Sequence, residues 1–442
     1  MRSQRSKVIL LALLSVLLPA LPALPDLPVL PASRALLAAQ VPFEEVIQQL
    51  ASPQKAVRLR AVQLLKDVAY PEAAVPLVPL VTDADDDVQL EAVAAELNIF
   101  LAEKIVTRKR VGLVIEVRNR IAADAAFSRG PLAIGARPVP AVVLSAFRTA
   151  ARDQNPRVAV EALYGFGMLA AEAGGARRRA LLAEVGTDLA SMTGAASPEF
   201  RYAAARVIGR LYEKRSDDGP VDPVVGDAMV GMLNDNDRGI RIAAMQALGA
   251  MRYERAVSAL TGQFQHFEKG ELAEAALDAI SRIAHPASEL ILIPQLASRH
   301  AALKALAIEG VARMGDPSRL GSIEAALKAD ADDRVALAAT FAAVVLSDAP
   351  LDRVVEALRR PKLAELARRY LIEVARGRTA SFTRHAQDPD VLIRTGVADV
   401  LGLAGDPAAL PIVEAMQRDR DPEVVLAAER AVARLNARLR TT

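Results

Sequence analysis

Four histidines, His266, His285, His300 and His385, are the residues with which this chain could bind a transition metal or move a proton near neutral pH. No two of them form a His-x3-His pair and none is followed by glutamate, so they offer no ligand pair on successive turns of one helix. They read as loop or surface residues. Cysteine is absent, which removes thiol catalysis, thiolate metal sites and disulfides. No Walker loop, nucleophile elbow or nucleotide-binding glycine fingerprint occurs. "YGFGMLAAEAGG" (164–175) carries glycines but follows no strand, so it reads as a helix end. "DADDD" (83–87) is a carboxylate cluster that could attract calcium, yet it lacks the glycine and distal glutamate of an EF-hand loop. An acidic turn opening a helix is the simpler reading. "TRKRVGLVIEVRNR" (107–120) and "ARRRA" (176–180) are the densest basic stretches. Either could meet an anionic surface, but apolar residues interleave the first, and both read as solvated helix faces. No catalytic residue, metal ligand or cofactor site follows, and the chain reads as a non-enzyme.

The elements that would position such residues are repeated. "IRTGVADVL" (393–401) has the same pattern as "IRIAAMQAL" (240–248), "VRLRAVQLL" (57–65) and "FRYAAARVI" (200–208). Eleven copies end at 65, 96, 166, 208, 248, 280, 311, 343, 374, 401 and 432, mostly 27 to 32 residues apart. Each period also holds a preceding amphipathic segment, such as "ELILIPQLASR" (289–299) or "ALPIVEAMQRD" (409–419). "GDP" at 315–317 and at 405–407 supplies a helix-ending glycine and a proline that starts the next helix. One helix pair cannot bury its own apolar faces, so successive pairs must stack. The period breaks near 106–140, which includes "SRGPLAIGARPVP" (128–140), and at "EKRSDDGPVDPVVG" (213–226). Insertions in stacked repeats emerge as loops on one face.

Composition agrees with an all-α chain. Apolar residues make up 52% and aromatics only 4%, with tryptophan absent. The apolar share is largely Ala, Leu and Val, and small side chains let helices approach closely. The N-terminus is different. Arg2, Arg5 and Lys7 precede an apolar run from Val8 to Leu18, then prolines at 19, 22, 25, 28 and 31. That is the layout of a secretory signal, too short to span a bilayer and barred by proline from continuing as a helix. Cleavage between Ala35 and Ala39 is expected, with an uncleaved anchor as the alternative. Losing Arg2, Arg5, Lys7 and Arg34 along with Asp26 takes the net charge from +2 to −1. A near-neutral chain lacks the basic field of a nucleic-acid binder. Arginine outnumbers lysine 45 to 10, a codon bias that points to a GC-rich bacterial genome.

With these residues in view, "DPDVLIRTGVADVLGLAGDPAALPIVEAM" (388–416) resembles the bacterial HEAT repeat of the phycobilisome-lyase type, and the resemblance runs from about 41 to 438. It implies a right-handed α-solenoid of about eleven to twelve helix pairs. It also implies a ladder in which a turn Asp and an Arg six residues later recur. Asp388/Arg394 and Asp235/Arg241 fit that spacing, and Ser52/Arg58 keeps only the Arg. HEAT-fold enzymes exist, but deoxyhypusine hydroxylase binds iron through His-Glu pairs that are absent here. The HEAT-like DNA glycosylases use basic grooves with aromatic clamps.

In such solenoids the second helix of each pair lines the concave surface. Slots three, six and seven of the nine-residue motif are then the candidates for partner contact. Tyr164, Tyr202, Arg206, Met245 and Phe341 lead them, with packing between repeats as the competing role. The expected function is a non-catalytic scaffold that binds a protein or peptide in a bacterial envelope. The expected partners include no nucleic acid, and no stable transmembrane segment is expected after cleavage. An accessory subunit of an envelope enzyme and a HEAT-fold enzyme are the alternatives.

Overall fold

A computed structural model of the chain describes residues 42–101, 123–124, 127, 138–171, 174–215, 218–328, 330 and 332–439, with side chains to 436. The leader, the basic stretch 107–120 and most of the loop 128–140 lie outside the described residues. Two compact units divide after Glu45, and Val46–Thr442 holds the repeats. Among the described residues there are helices and no strands.

The helices come in pairs: α1 (Phe43–Gln49) then α2 (Lys55–Val68), and α3 (Ala74–Leu77) then α4 (Asp86–Phe100). Next follow α5 (Ala141–Ala150) and α6 (Pro156–Ala170), α7 (Gly175–Met192) and α8 (Pro198–Leu211), α9 (Pro223–Gly231) and α10 (Arg238–Met251). Then come α11 (Val257–Phe267) and α12 (Glu271–Ile283), α13 (Glu289–Gln295) and α14 (Ala301–Arg313), α15 (Leu320–Lys328) and α16 (Asp333–Ser347). After α17 (Asp352–Glu356) and α18 (Ala364–Ala375), two 3-10 turns stand in for a first helix before α19 (Val391–Ala404), and α20 (Leu410–Met416) precedes α21 (Pro422–Leu439). Each second helix packs on the second helices before and after it, as in α8, α10, α12 and α14. This is an α-solenoid, as the repeat requires.

The helix boundaries follow from a short polar device. Asp-x-Asp occurs at 83/85, 235/237, 330/332, 388/390 and 419/421, and Asp153-x-Asn155 is its variant. In each copy the first Asp accepts the backbone N–H two residues on, at 2.8 to 2.9 Å. The second residue accepts from an N–H in the first turn of the second helix and caps it. The cluster 83–87 is therefore a turn and cap, as read from sequence. At the other end, Gly405 closes α19 in the left-handed conformation at φ 71. Asp406 then accepts from Ala408, and Pro407 opens the next turn.

The first Asp also holds the preceding repeat. Arg58 reaches Asp83 with two bonds of 2.8 Å, Arg201 reaches Asp235 at 2.8 and 3.1 Å, and Arg394 reaches Asp419 at 2.7 and 2.9 Å. Lys304 to Asp330 at 2.7 Å and the Gln89 amide to Asp153 at 3.1 Å occupy the same place. The ladder thus runs between repeats. Arg394 donates to the carbonyl of Asp388, while the carboxylate of Asp388 is bound by Arg359. Arg241, whose next turn is Glu268-Lys269-Gly270 and not Asp-x-Asp, lies 5.4 Å from the Phe267 ring instead.

Close packing rests on Gly–Ala contacts. A Cβ on Gly249 would lie 2.8 Å from the Cα of Ala279, and one on Gly402 would lie 2.7 Å from the Cα of Ala431. Helices this close leave no room for a methyl group, which is how an Ala-rich chain fills its core.

Candidate functional site: the face of the second helices

Helical geometry sorts the motif slots. At about 100° per residue, slots three and seven lie about 40° apart, and slot six lies another ~60° round toward the adjacent repeat. Slot six is accordingly buried at Val62, Leu163, Ala205, Met245, Leu277, Ile308 and Ala398. Met245, with no exposed surface, is a core residue and offers nothing to a partner. Phe341 is also core, at 1% exposure. Its helix α16 is rolled so that Ala336 and Thr340 face outward, while the Phe341 ring stacks on Tyr370 at 4.3 Å beneath the Arg313 guanidinium. Tyr164 is buried against Phe127, ring centroids 5.0 Å apart, and burial pushes its hydroxyl pKa up.

Tyr202 and Arg206 are brought together. They stand four apart on α8, both half-buried, and Arg206 Nη1 donates to the Tyr202 hydroxyl at 3.1 Å. The guanidinium lies 5.6 Å from the Phe127 ring and 5.8 Å from that of Tyr202. Arg210, one turn on, sits 5.0 Å over Phe127 and donates to its carbonyl at 3.2 Å. Among the described residues no carboxylate lies within 4.0 Å of Arg206. Ile242, half-buried, and Gln246, exposed, occupy slots three and seven of the neighbouring α10. The arrangement is a cation framed by aromatic faces beside an apolar and an amide side chain.

The second half of the face is charged and largely self-satisfied. Glu309 is buried, accepts from the Tyr370 hydroxyl at 2.6 Å, and lies 3.1 Å from Arg313. Arg313 also donates to Ser281 at 2.9 Å and to Glu373 at 3.0 and 3.1 Å. Burial pushes the Glu309 carboxyl up, against the pull of Arg313. Further on, Asp399 on α19 is buried beside Arg430 at 3.7 Å, and burial likewise pushes it up.

Other expected sites resolve simply. Arg178 of "ARRRA" is not a solvated residue. It is 2% exposed and donates to the carbonyls of Leu211 and Glu213 and to Asp218, pinning the second insertion. The flanking Arg177 and Arg179 do not share its burial. His266 and His300 are exposed, and His285 accepts the Ala287 N–H in a turn. His385 departs from the surface reading. It is buried, lies 3.2 Å from Asp352, and burial lowers its pKa. Among the described residues no three His, Asp or Glu side chains converge as a metal site, and no helix is long and apolar enough to cross a membrane.

Residues 186–277, from α7 to α12, match the family of HEAT repeats. No curated protein matches the chain. Among solved structures, an engineered protein is similar at 16% identity, covering 89% of this chain and 98% of its own, with a TM-score of 0.42. A designed armadillo repeat protein in complex with the peptide (KR)4 has 20% identity over 55% of this chain and 100% of its own, TM-score 0.38. The complex of CpcE and CpcF of phycocyanin lyase from Nostoc sp. PCC7120 has 17% identity over 57% of this chain and 93% of its own, TM-score 0.35. The HEAT match thus falls on the central repeats, and the same capped helix pair recurs on either side of them.

Proposed function

We propose that this chain is a non-catalytic protein-binding scaffold, exported to a bacterial envelope, whose partner is a protein or peptide laid along the second-helix face. The Tyr202–Arg206 pair carries this reading. It is a half-buried tyrosine and arginine with no carboxylate on the cation among the described residues, on a helix packed against α10, which carries Ile242 and Gln246. Tyr and Arg in partly desolvated positions are the side chains that most often anchor protein interfaces. Repeats build such a surface at little sequence cost, because each copy contributes its own slots three and seven. The envelope location rests on the basic and apolar N-terminal residues 2–18 and the prolines after them.

The test is affinity capture of the tagged full-length chain from its native host, with mass spectrometry of bait and prey. A bait beginning near residues 36–40 with one stoichiometric envelope protein, lost in a Tyr202→Ala/Arg206→Gln variant of unchanged helical circular dichroism, supports the reading. A cytosolic bait that retains Met1 and brings down no partner removes it.

A further inference from the structure

A solenoid repeat ordinarily touches only its neighbours. Arg252 and Glu373 depart from that rule. Arg252 is the left-handed cap of α10, at φ 51, and its Nη2 lies 3.3 Å from Oε1 of Glu373 on α18. The second helices α12, α14 and α16 lie between them in the chain. The same carboxylate receives Nε of Arg313 on α14 at 3.0 and 3.1 Å. Arg313 is fixed in turn by Ser281 on α12, by Glu309, and by the Phe341 ring of α16. One glutamate on α18 therefore joins arginines at the ends of α10 and α14, and Arg313 in turn touches α12 and α16. Two helices so far apart meet only where the stack curves toward this face.

We propose that Arg252 and Arg313 form a carboxylate-binding site that Glu373 fills from within, as a clasp that draws this face closed, and that an acidic segment of the partner opens it by taking the place of Glu373. The Arg313 guanidinium is held in position before any ligand arrives, which is what a selective carboxylate site requires. The Arg252 side chain is 49% exposed, so its half of the bridge is open to solvent and weak on its own. A run of partner carboxylates can compete for both arginines at once, whereas Glu373 brings a single charge. This inference rests on the scaffold reading and adds the chemistry of the partner.

The chain has no cysteine, so spin labels can be placed at Gln246→Cys on α10 and Arg369→Cys on α18, both exposed positions, without removing any native thiol. Pulsed dipolar spectroscopy then reads the distance across the clasp. Binding of a fluorescein-labelled deca-glutamate peptide reads the site. Glu373→Gln should lengthen the distance and tighten peptide binding roughly tenfold, the scale of one charge-assisted contact. Saturating wild-type protein with the peptide should lengthen the same distance. Arg252→Gln, at a half-exposed side chain that does not threaten folding, should lengthen the distance and weaken the peptide relative to Glu373→Gln. A distance unmoved in both variants overturns the clasp. A longer distance with unchanged peptide affinity overturns the exchange. Capture of the native partner is a separate measurement, so either result leaves the scaffold reading to be judged on its own test.

Discussion

Arg394 and Asp419 belong to different repeats, yet they meet through two parallel bonds, Nε to Oδ2 at 2.7 Å and Nη2 to Oδ1 at 2.9 Å. The same guanidinium donates to the carbonyls of Asp388 and Pro389 at 2.8 and 3.1 Å, so it ties two turns together. The pair is largely buried, with side chains 4% and 12% exposed. The bonds from Arg394 hold the Asp419 carboxyl below its usual range.

Removing the cation therefore leaves a buried carboxylate and two carbonyls without their donor. Arg394→Gln should cost about 2–4 kcal/mol, the scale for breaking one side of a buried pair. In a solenoid the damage stays local, so amide exchange in α20 and α21 should quicken by roughly a hundredfold while α8 and α10 stay unchanged. Uniform acceleration along the chain, or none, would contradict this account.

The repeat was legible because stacking forces a period on the apolar positions, and "IRTGVADVL" and "IRIAAMQAL" keep it. The ladder was half legible. Spacing revealed Asp388 and Arg394 but not that Arg394 takes the carboxylate of the next repeat, since one copy of a motif says nothing about its stacking partner. The recurring Asp-x-Asp was present in sequence and is the signal that would have found Arg201–Asp235. Met245 was misplaced because slot six turns toward the adjacent repeat, and Phe341 because its helix is rolled, a roll of one residue moving a slot by about 100°. Arg252 and Glu373, 121 residues apart, depend on curvature, which no local pattern records.

The Gly–Ala contacts give a paired test. Gly402→Ala would place a methyl group 2.7 Å from the Cα of Ala431, which is backbone and cannot step aside. Overpacking of this kind should cost about 1–3 kcal/mol in urea unfolding. Gly321→Ala on α15 meets nothing within 4 Å and should be neutral or stabilise by about 0.4–1 kcal/mol, as helix propensity dictates. Equal effects at the two sites would show that the close approach of α19 and α21 is not real.

Arg178 is the buried anchor of the second insertion, with Lys214 and Arg215 adding bonds nearer the surface. Arg178 donates to Leu211 O at 2.6 Å, Glu213 O at 3.1 Å and Asp218 Oδ1 at 3.1 Å, and it is almost fully buried. Arg178→Met keeps much of the volume and removes every donor. Trypsin should then cut after Lys214 or Arg215 at least about ten times faster than in the wild type, because local opening governs cleavage. Unchanged cleavage with unchanged melting would mean that the loop is held elsewhere.

Glu161 links the fold to pH. It lies buried in α6, accepts the Ala123 N–H at 2.7 Å, and burial outweighs that bond and Arg157 to push its pKa up to about 8. The unfolded chain releases this proton near pH 4.5, whereas the folded chain keeps it until about pH 8. Between those values the folded state binds more protons, so its stability falls as pH rises. The loss is on the order of 5 kcal/mol for a separation of this size, and it is complete above the folded pKa. Glu96, buried on α4 and pushed up by burial alone, adds a loss of the same sign. Melting followed by circular dichroism should therefore decline from pH 5 to pH 8 in the wild type, and Glu161→Gln should flatten that decline. A variant that declines as steeply as the wild type would show that Glu161 is already ionised in the folded chain.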